Sequence, residues 1–376
     1  MAAYFWRTLN ISPAHPVRRS AAFLFYNVAA TFVLIVLLEG IASIIFNFRD
    51  AYALTPVPER IHTEYDRDLG WVNLPNLPNV YVPNMYGPGK YLRTNLQRFR
   101  NNENFTASVP PGKTRIICSG DSFTLGFGVD NDHTWPQLLE SRFQNVETVN
   151  MGQGGYGADQ AYLWYKRDGE KLHHDIQIFA VITDDFQRMQ NQALVGYGKP
   201  ILVVENDHLV TRNVPVPRTG WSPWLMRLQK ALNNMNITRL LRGAVSRDSA
   251  AQVAQGRKER NQVTQRVVSY MLDDLVERNR AKNSVLVLVY LPTRGESGGD
   301  WMAWRKFLAE CARQRGLLYL DLTDDFYGLP PGELDKLFIR GFGHYTEAGN
   351  AFAANLIYRR LLANPETAAK LHPPIK

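Results

Sequence analysis

Between Arg19 and Arg49 the chain carries 29 residues, SAAFLFYNVAATFVLIVLLEGIASIIFNF, with one formal charge, Glu39. At the rise of an α-helix the run spans roughly 40 Å, enough to cross a bilayer. Whatever follows must then fold with respect to a membrane. Arg7, Arg18 and Arg19 precede the run without an acid, whereas Arg49 and Arg60 beyond it are interleaved with Asp50 and Glu59. This bias predicts a cytoplasmic N-terminus and an extracytoplasmic remainder, periplasmic in a bacterium. Gly40-Ile41-Ala42 offers small residues for signal cleavage, but the run continues through Ile44, Ile45 and Phe46, longer than a signal core. An uncleaved single-pass anchor is the expectation. Glu39 would lie inside the hydrocarbon, where an acid is costly unless neutralised or paired. With Asn27, Ala29, Ala30 and Gly40 it is expected to face another integral membrane protein, lipid covering the rest of the helix.

Beyond the anchor, residues 49–112 are rich in Pro, Asn and Tyr, with short β-prone runs at 81–83 and 91–94, and read as an extended lead-in that packs on the main domain. From Arg115 short apolar runs alternate with helical patterns: RIICSG, TWPQLLESRF, VETVNMG, DQAYLWYKRDGEKL, IQIFAVIT, VTQRVVSYMLDDLVERN, SVLVLVYLP, WMAWRKFLAECARQ, LLYLDLT and EAGNAFAANLIYRRLL. Strand followed by helix, repeated, predicts an α/β domain with a parallel sheet covered on both faces. Val263, Val267, Val268, Met271, Leu272, Leu275 and Val276 are placed on one helix face. The expected divisions are 1–19 cytoplasmic, 20–48 transmembrane, 49–112 lead-in and 113–376 main domain, interrupted by an insertion at about 187–262. That insertion contains a hairpin, ILVVENDHLVTRNVPVP, and a basic helical stretch from Pro223 to about Ala244.

Charge and cysteine usage narrow the chemistry. A net charge of +8 is spread too diffusely to mean nucleic acid, and no nucleic-acid-binding motif is present. Residues 227–260 hold eight basic side chains against two acids, a solvated face or, as the sharper reading, a contact with lipid headgroups or an anionic glycan. Two cysteines make neither a disulfide scaffold nor a four-ligand zinc site. Cys118 reads as a buried small hydrophobe, His173 and His174 as surface residues, and no metal or cofactor is expected.

The strongest chemical signal is Gly120-Asp121-Ser122-Phe123 at the end of the strand 115–119. In a doubly wound sheet, a serine on a tight turn at a strand's carboxyl end is presented as a nucleophile. After the next strand, Asn150-Met151-Gly152-Gln153-Gly154-Gly155 forms a loop whose glycine amides can donate to an oxyanion. His344 in Gly343-His344-Tyr345-Thr346-Glu347 stands just before the last helical pattern, placed to act as a general base.

GDSF at 120–123, NxGxxG at 150–155, Thr183-Asp184-Asp185 and HYTEAG at 344–349 together resemble the blocks of the SGNH (GDSL-type) hydrolases over about residues 113–362. The resemblance implies a flavodoxin-like doubly wound parallel sheet, with Ser122 as nucleophile, Gly155 as backbone oxyanion donor and His344 as base. The lead-in from Tyr65 to Trp71 is similar to that of anchored members. Two positions depart from the pattern. Asp184 stands where the family has an oxyanion-hole asparagine, and Gly341 where it has the triad aspartate. Asp335, Asp324 and Asp325 are the nearest substitute acids, with Asp335 placed first. Losing the acid typically costs about 10⁴ in turnover and losing one oxyanion donor about 10²–10³. The expectation is therefore a catalytically impaired domain serving as an accessory or structural subunit at the membrane. The alternative is an active serine esterase or O-acyl transferase on envelope polysaccharide or lipid.

Overall fold

The computed structural model describes residues 16–52, 59–80, 91–194, 197–218, 250–295, 299–341 and 343–371. The β-prone run at 81–83 and the basic stretch from Pro223 to about Ala244 lie outside the described residues. The N-terminal helix and the central sheet belong to separate compact units.

The apolar run forms an uninterrupted helix, Pro16–Tyr52. Within it Phe23–Asn47, 25 residues of mean hydropathy 2.5 and none of them buried, is long and apolar enough to cross a membrane. The Asn27 amide donates to the Phe23 carbonyl at 2.7 Å, one turn back on its own helix, and Glu39 is exposed.

The second unit is organised by five parallel strands, β1 (Thr114–Gly120), β2 (Val146–Gly152), β3 (Ile176–Val181), β4 (Val285–Tyr290) and β5 (Leu318–Asp321). They lie side by side in the order 2-1-3-4-5, that of flavodoxin-like doubly wound sheets. Their apolar runs are continuous because both faces are covered. Alternate side chains divide between two cores. Ile117, Phe179, Leu286, Leu288 and Tyr290 pack under the helices Ala158–Arg167, Ala250–Ala281 and Gly299–Arg315. Ile116, Cys118, Ile178, Val287 and Val289 pack under Trp135–Glu140 and Glu347–Ala363. Strand order reverses between β1 and β3, which pair with Ile116 opposite Ile176. The crevice outside the carboxyl ends of these two strands is where such sheets place ligands.

Three expectations differ from the structure. Val263 is 65% exposed and Thr264 is buried in its place, so the buried face of the long helix runs through Thr264, Val267, Val268, Met271, Leu272 and Leu275. The helix already begins at Ala250, inside the stretch assigned to the insertion. His174 is buried, its Nδ1 2.8 Å from the Leu172 carbonyl oxygen and its Nε2 3.1 Å from the Tyr165 hydroxyl.

The lead-in folds as an antiparallel hairpin, Thr63–Asp66 with Gly70–Asn73. Asp66 closes its turn by accepting from the Asp68 and Leu69 amides, both at 2.9 Å, and Arg167 clamps the same carboxylate. The expected hairpin of the insertion pairs Ile201–Glu205 with His208–Arg212, with Asn206 and Asp207 both at positive φ in the two-residue turn.

Candidate active site

β1 ends at Gly120 and the chain turns into a single helical turn, Ser122–Leu125. Asp121 starts it, Oδ1 accepting from the Phe123 amide at 2.9 Å, as a short polar side chain does at an N-cap. Gly126 ends it at φ +85°. A Cβ on Gly152 would lie 1.9 Å from the Leu125 nitrogen, so only glycine lets the end of β2 approach the serine turn. Ser122 is 5% exposed.

His344 arrives from the other end of the chain. The Ile339 amide donates to its carbonyl at 2.6 Å, and Phe338 bridges Tyr345, whose hydroxyl donates to the Pro292 carbonyl at 2.8 Å. Two residues on, Thr346 caps the helix Glu347–Ala363. These anchors put His344 Nε2 2.8 Å from Ser122 Oγ. The imidazole is stacked with Phe123, centroids 4.7 Å apart, and with Phe127, at 4.3 Å. Faces of this kind favour a cationic ring through their quadrupole.

Behind the serine lies a cluster that motif reading did not single out. Asp121 Oδ2 is 3.3 Å from Ser122 Oγ and accepts from Arg188 Nη1 at 3.0 Å. The same nitrogen donates to Asp185 Oδ1 at 2.8 Å and to the Tyr156 carbonyl at 2.9 Å. Arg188 thereby ties the serine turn, the glycine loop and the segment after β3 together. Burial, and then the charge of Asp121, push the Asp185 carboxyl well above the usual carboxylate range, against the pull of Arg188. The available signal was spacing: Arg188 stands one helical turn beyond Asp184 and Asp185, on the helix Thr183–Arg188.

The glycine loop continues from β2. Gly155 sits at φ +76°, and a Cβ there would lie 2.7 Å from Leu194 Cδ2 and 3.5 Å from Trp71 Cζ2. The Trp71 indole Nε1 donates to the Gly154 carbonyl at 2.9 Å. Asp184 is exposed on the first turn after β3, across the switch point from Ser122. Gly341 has φ +83° and open space where a side chain would begin.

The substitute acids are engaged by arginines. Asp335 accepts from Arg294 at 3.0 and 2.5 Å, Asp324 from Arg305 at 2.9 Å and Asp325 from Arg360 at 2.5 Å. Cys118 is fully buried in the strand before the serine, and burial raises its thiol well above the ordinary value. One group among the described residues could hold a cation: Asp130, His133 and Glu347, all half-buried, bring ligand atoms within 4.8 Å of one another. Sequence reading missed it because Glu347 lies more than 200 positions from the other two.

No family model matches the sequence, and no curated protein sequence does either. Among solved structures the chain is similar to the lipase/acylhydrolase from Enterococcus faecalis, at 12% identity and a TM-score of 0.39, over 66% of this chain and 96% of that one. It is similar to a member of the lipolytic protein G-D-S-L family from Veillonella parvula DSM 2008, at 16% identity and 0.37, over 66% and 97%. It is also similar to the acetyl xylan esterase AlAXEase, at 13% identity and 0.37, over 65% and 98%. The 2-1-3-4-5 sheet, the serine turn after its first strand and the histidine before its last long helix give the chain an SGNH-hydrolase-like α/β fold.

Proposed function

We propose that the chain is a membrane-anchored serine ester hydrolase or acyl transferase working through Ser122 and His344. The observation that carries this reading is the 2.8 Å contact between Ser122 Oγ and His344 Nε2, a nucleophile within hydrogen-bond reach of its base. Ser122 Oγ attacks the acyl carbon and its proton passes to His344 Nε2. The imidazolium, between Phe123 and Phe127, then protonates the departing alkoxide. Water or an acceptor hydroxyl takes the acyl group from Ser122 while His344 removes its proton. The amides of Ser122 and Gly155 donate to the oxyanion. Envelope polysaccharide or lipid is the proposed acyl carrier, reached by a domain held outside the membrane by an anchor with its N-terminus in the cytoplasm.

The carboxylate at 184 and the missing acid at 341 favour a second reading, an impaired domain acting as an accessory subunit of a membrane complex. The test is the full chain in detergent, treated with a fluorophosphonate probe and assayed on 4-nitrophenyl acetate. Labelling of Ser122, with turnover that Ser122→Ala abolishes, is the expected result. A folded protein that is neither labelled nor active favours the accessory reading.

A further inference from the structure

The hairpin that follows the membrane helix reaches the proposed oxyanion hole through one side chain. Trp71 is 3% exposed, and its Nε1–H donates to the Gly154 carbonyl at 2.9 Å. That carbonyl and the N–H of Gly155 belong to the same peptide group. A trans peptide is planar, with its C=O and N–H pointing in opposite directions. A donor that holds the oxygen on one side therefore fixes where the N–H points on the other. It also polarises the amide, and a polarised N–H is a stronger donor.

This peptide would otherwise be poorly held. It has glycine on both sides, the residue with the widest choice of φ and ψ, and Gly155 sits at φ +76°. The indole is itself fixed. The Tyr156 hydroxyl donates to the Trp71 carbonyl at 2.5 Å, the Tyr156 ring meets the indole edge-on at 5.5 Å, and Tyr197 lies at 6.1 Å. Leu194 covers Gly155 from the insertion.

We infer that Trp71 is a positioning residue of the oxyanion hole, orienting and strengthening the Gly155 N–H through the Gly154 carbonyl. The inference rests on the hydrolase reading of Ser122 and His344. An oxyanion donor acts on the transition state rather than on bound substrate, so the effect belongs in kcat and not in KM. Removing a donor altogether costs about 10²–10³, so loosening one is expected to cost on the order of tenfold.

The experiment replaces Trp71 in the full-length protein with 3-benzothienylalanine, an isostere with sulfur in place of the N–H, beside Trp71→Phe and 7-azatryptophan, which keeps the N–H. With 4-nitrophenyl acetate the isostere is expected to lose about tenfold in kcat at unchanged KM, with a modest fall in melting temperature from the unpaired Gly154 carbonyl, while 7-azatryptophan stays near wild type. An isostere with wild-type kcat overturns the inference, even if Trp71→Phe is slow and less stable, because the indole then serves packing alone. A wild-type protein without Ser122-dependent turnover overturns the hydrolase reading first, and this inference with it.

Discussion

His344 Nε2 lies 2.8 Å from Ser122 Oγ although 222 residues separate the two in sequence. The contact depends on anchors at both ends: Asp121 capping the serine turn, and Thr346 with Tyr345 fixing the histidine segment against the helix Glu347–Ala363. Under the proposed hydrolase reading, the departures at 184 and 341 act on rate.

Restoring those two groups tests that view. Asp184→Asn returns a neutral donor to the segment after β3, and Gly341→Asp offers His344 a carboxylate. The side chain at 341 enters open space, but φ +83° costs it about 1 kcal/mol. The double variant is expected to gain at least ~10² in kcat/KM on 4-nitrophenyl acetate, more than either single change. Wild-type turnover at rates typical of enzymes, with no gain from the pair, would show that 184 and 341 do not limit the reaction.

Phe127→Leu should slow the reaction without unfolding the protein. It removes the ring face 4.3 Å from His344 that favours the imidazolium. A cation–π contact of 0.5–2 kcal/mol corresponds to a loss of roughly 2- to 30-fold in kcat, which Phe127→Tyr should largely retain. Equal rates for the leucine and tyrosine variants would leave the aromatic face without a catalytic part.

Asp185 makes stability depend on pH. Its carboxyl is raised by burial and by Asp121, so the folded chain keeps a proton that the unfolded chain has released. Stability contributed by this group should therefore fall as pH rises above the ordinary value of about 4. Urea midpoints measured across pH should show that decline, flattened in Asp185→Asn. An identical slope in the variant would assign the dependence to other groups.

Lys199 and Asp159 form a pair with both side chains wholly buried, Nζ to Oδ2 2.5 Å. Lys199→Met leaves Asp159 charged and uncompensated, an expected loss of about 3–5 kcal/mol by chemical denaturation. Adding Asp159→Leu should recover much of it. A double variant as unstable as the single would place the loss in packing rather than in the stranded charge.

Glu39 is expected to face a protein neighbour in the membrane, since an acid there costs on the order of 2.5–3.5 kcal/mol. Asn27 donates one amide N–H to the Phe23 carbonyl, and twelve residues of unbroken helix place it roughly 120° around the axis from Glu39. Cysteines scanned along residues 35–43 should crosslink to protein on the Glu39 side alone. Uniform labelling by lipid-phase probes around the helix would mean that no neighbour is there.

Local pattern was enough for the membrane-length helix, the buried strands and the turn after β1. Each depends on residues adjacent in the chain: apolar run length, strand runs covered on both faces, and an Asp-Ser pair at a strand end. Tertiary structure decided what depends on distant segments. The strand order 2-1-3-4-5 places Ser122 and Asp184 on either side of one crevice. Closure of the sheet set the buried helix face, exposing Val263 and taking Thr264 instead. Arg188 joins Asp121, and Trp71 joins Gly154, across 67 and 83 positions. No periodicity records such bonds, because an arginine near two acids or a tryptophan in a hairpin looks in sequence like any other. What each side chain meets is settled only when the sheet and its covering layers close around it.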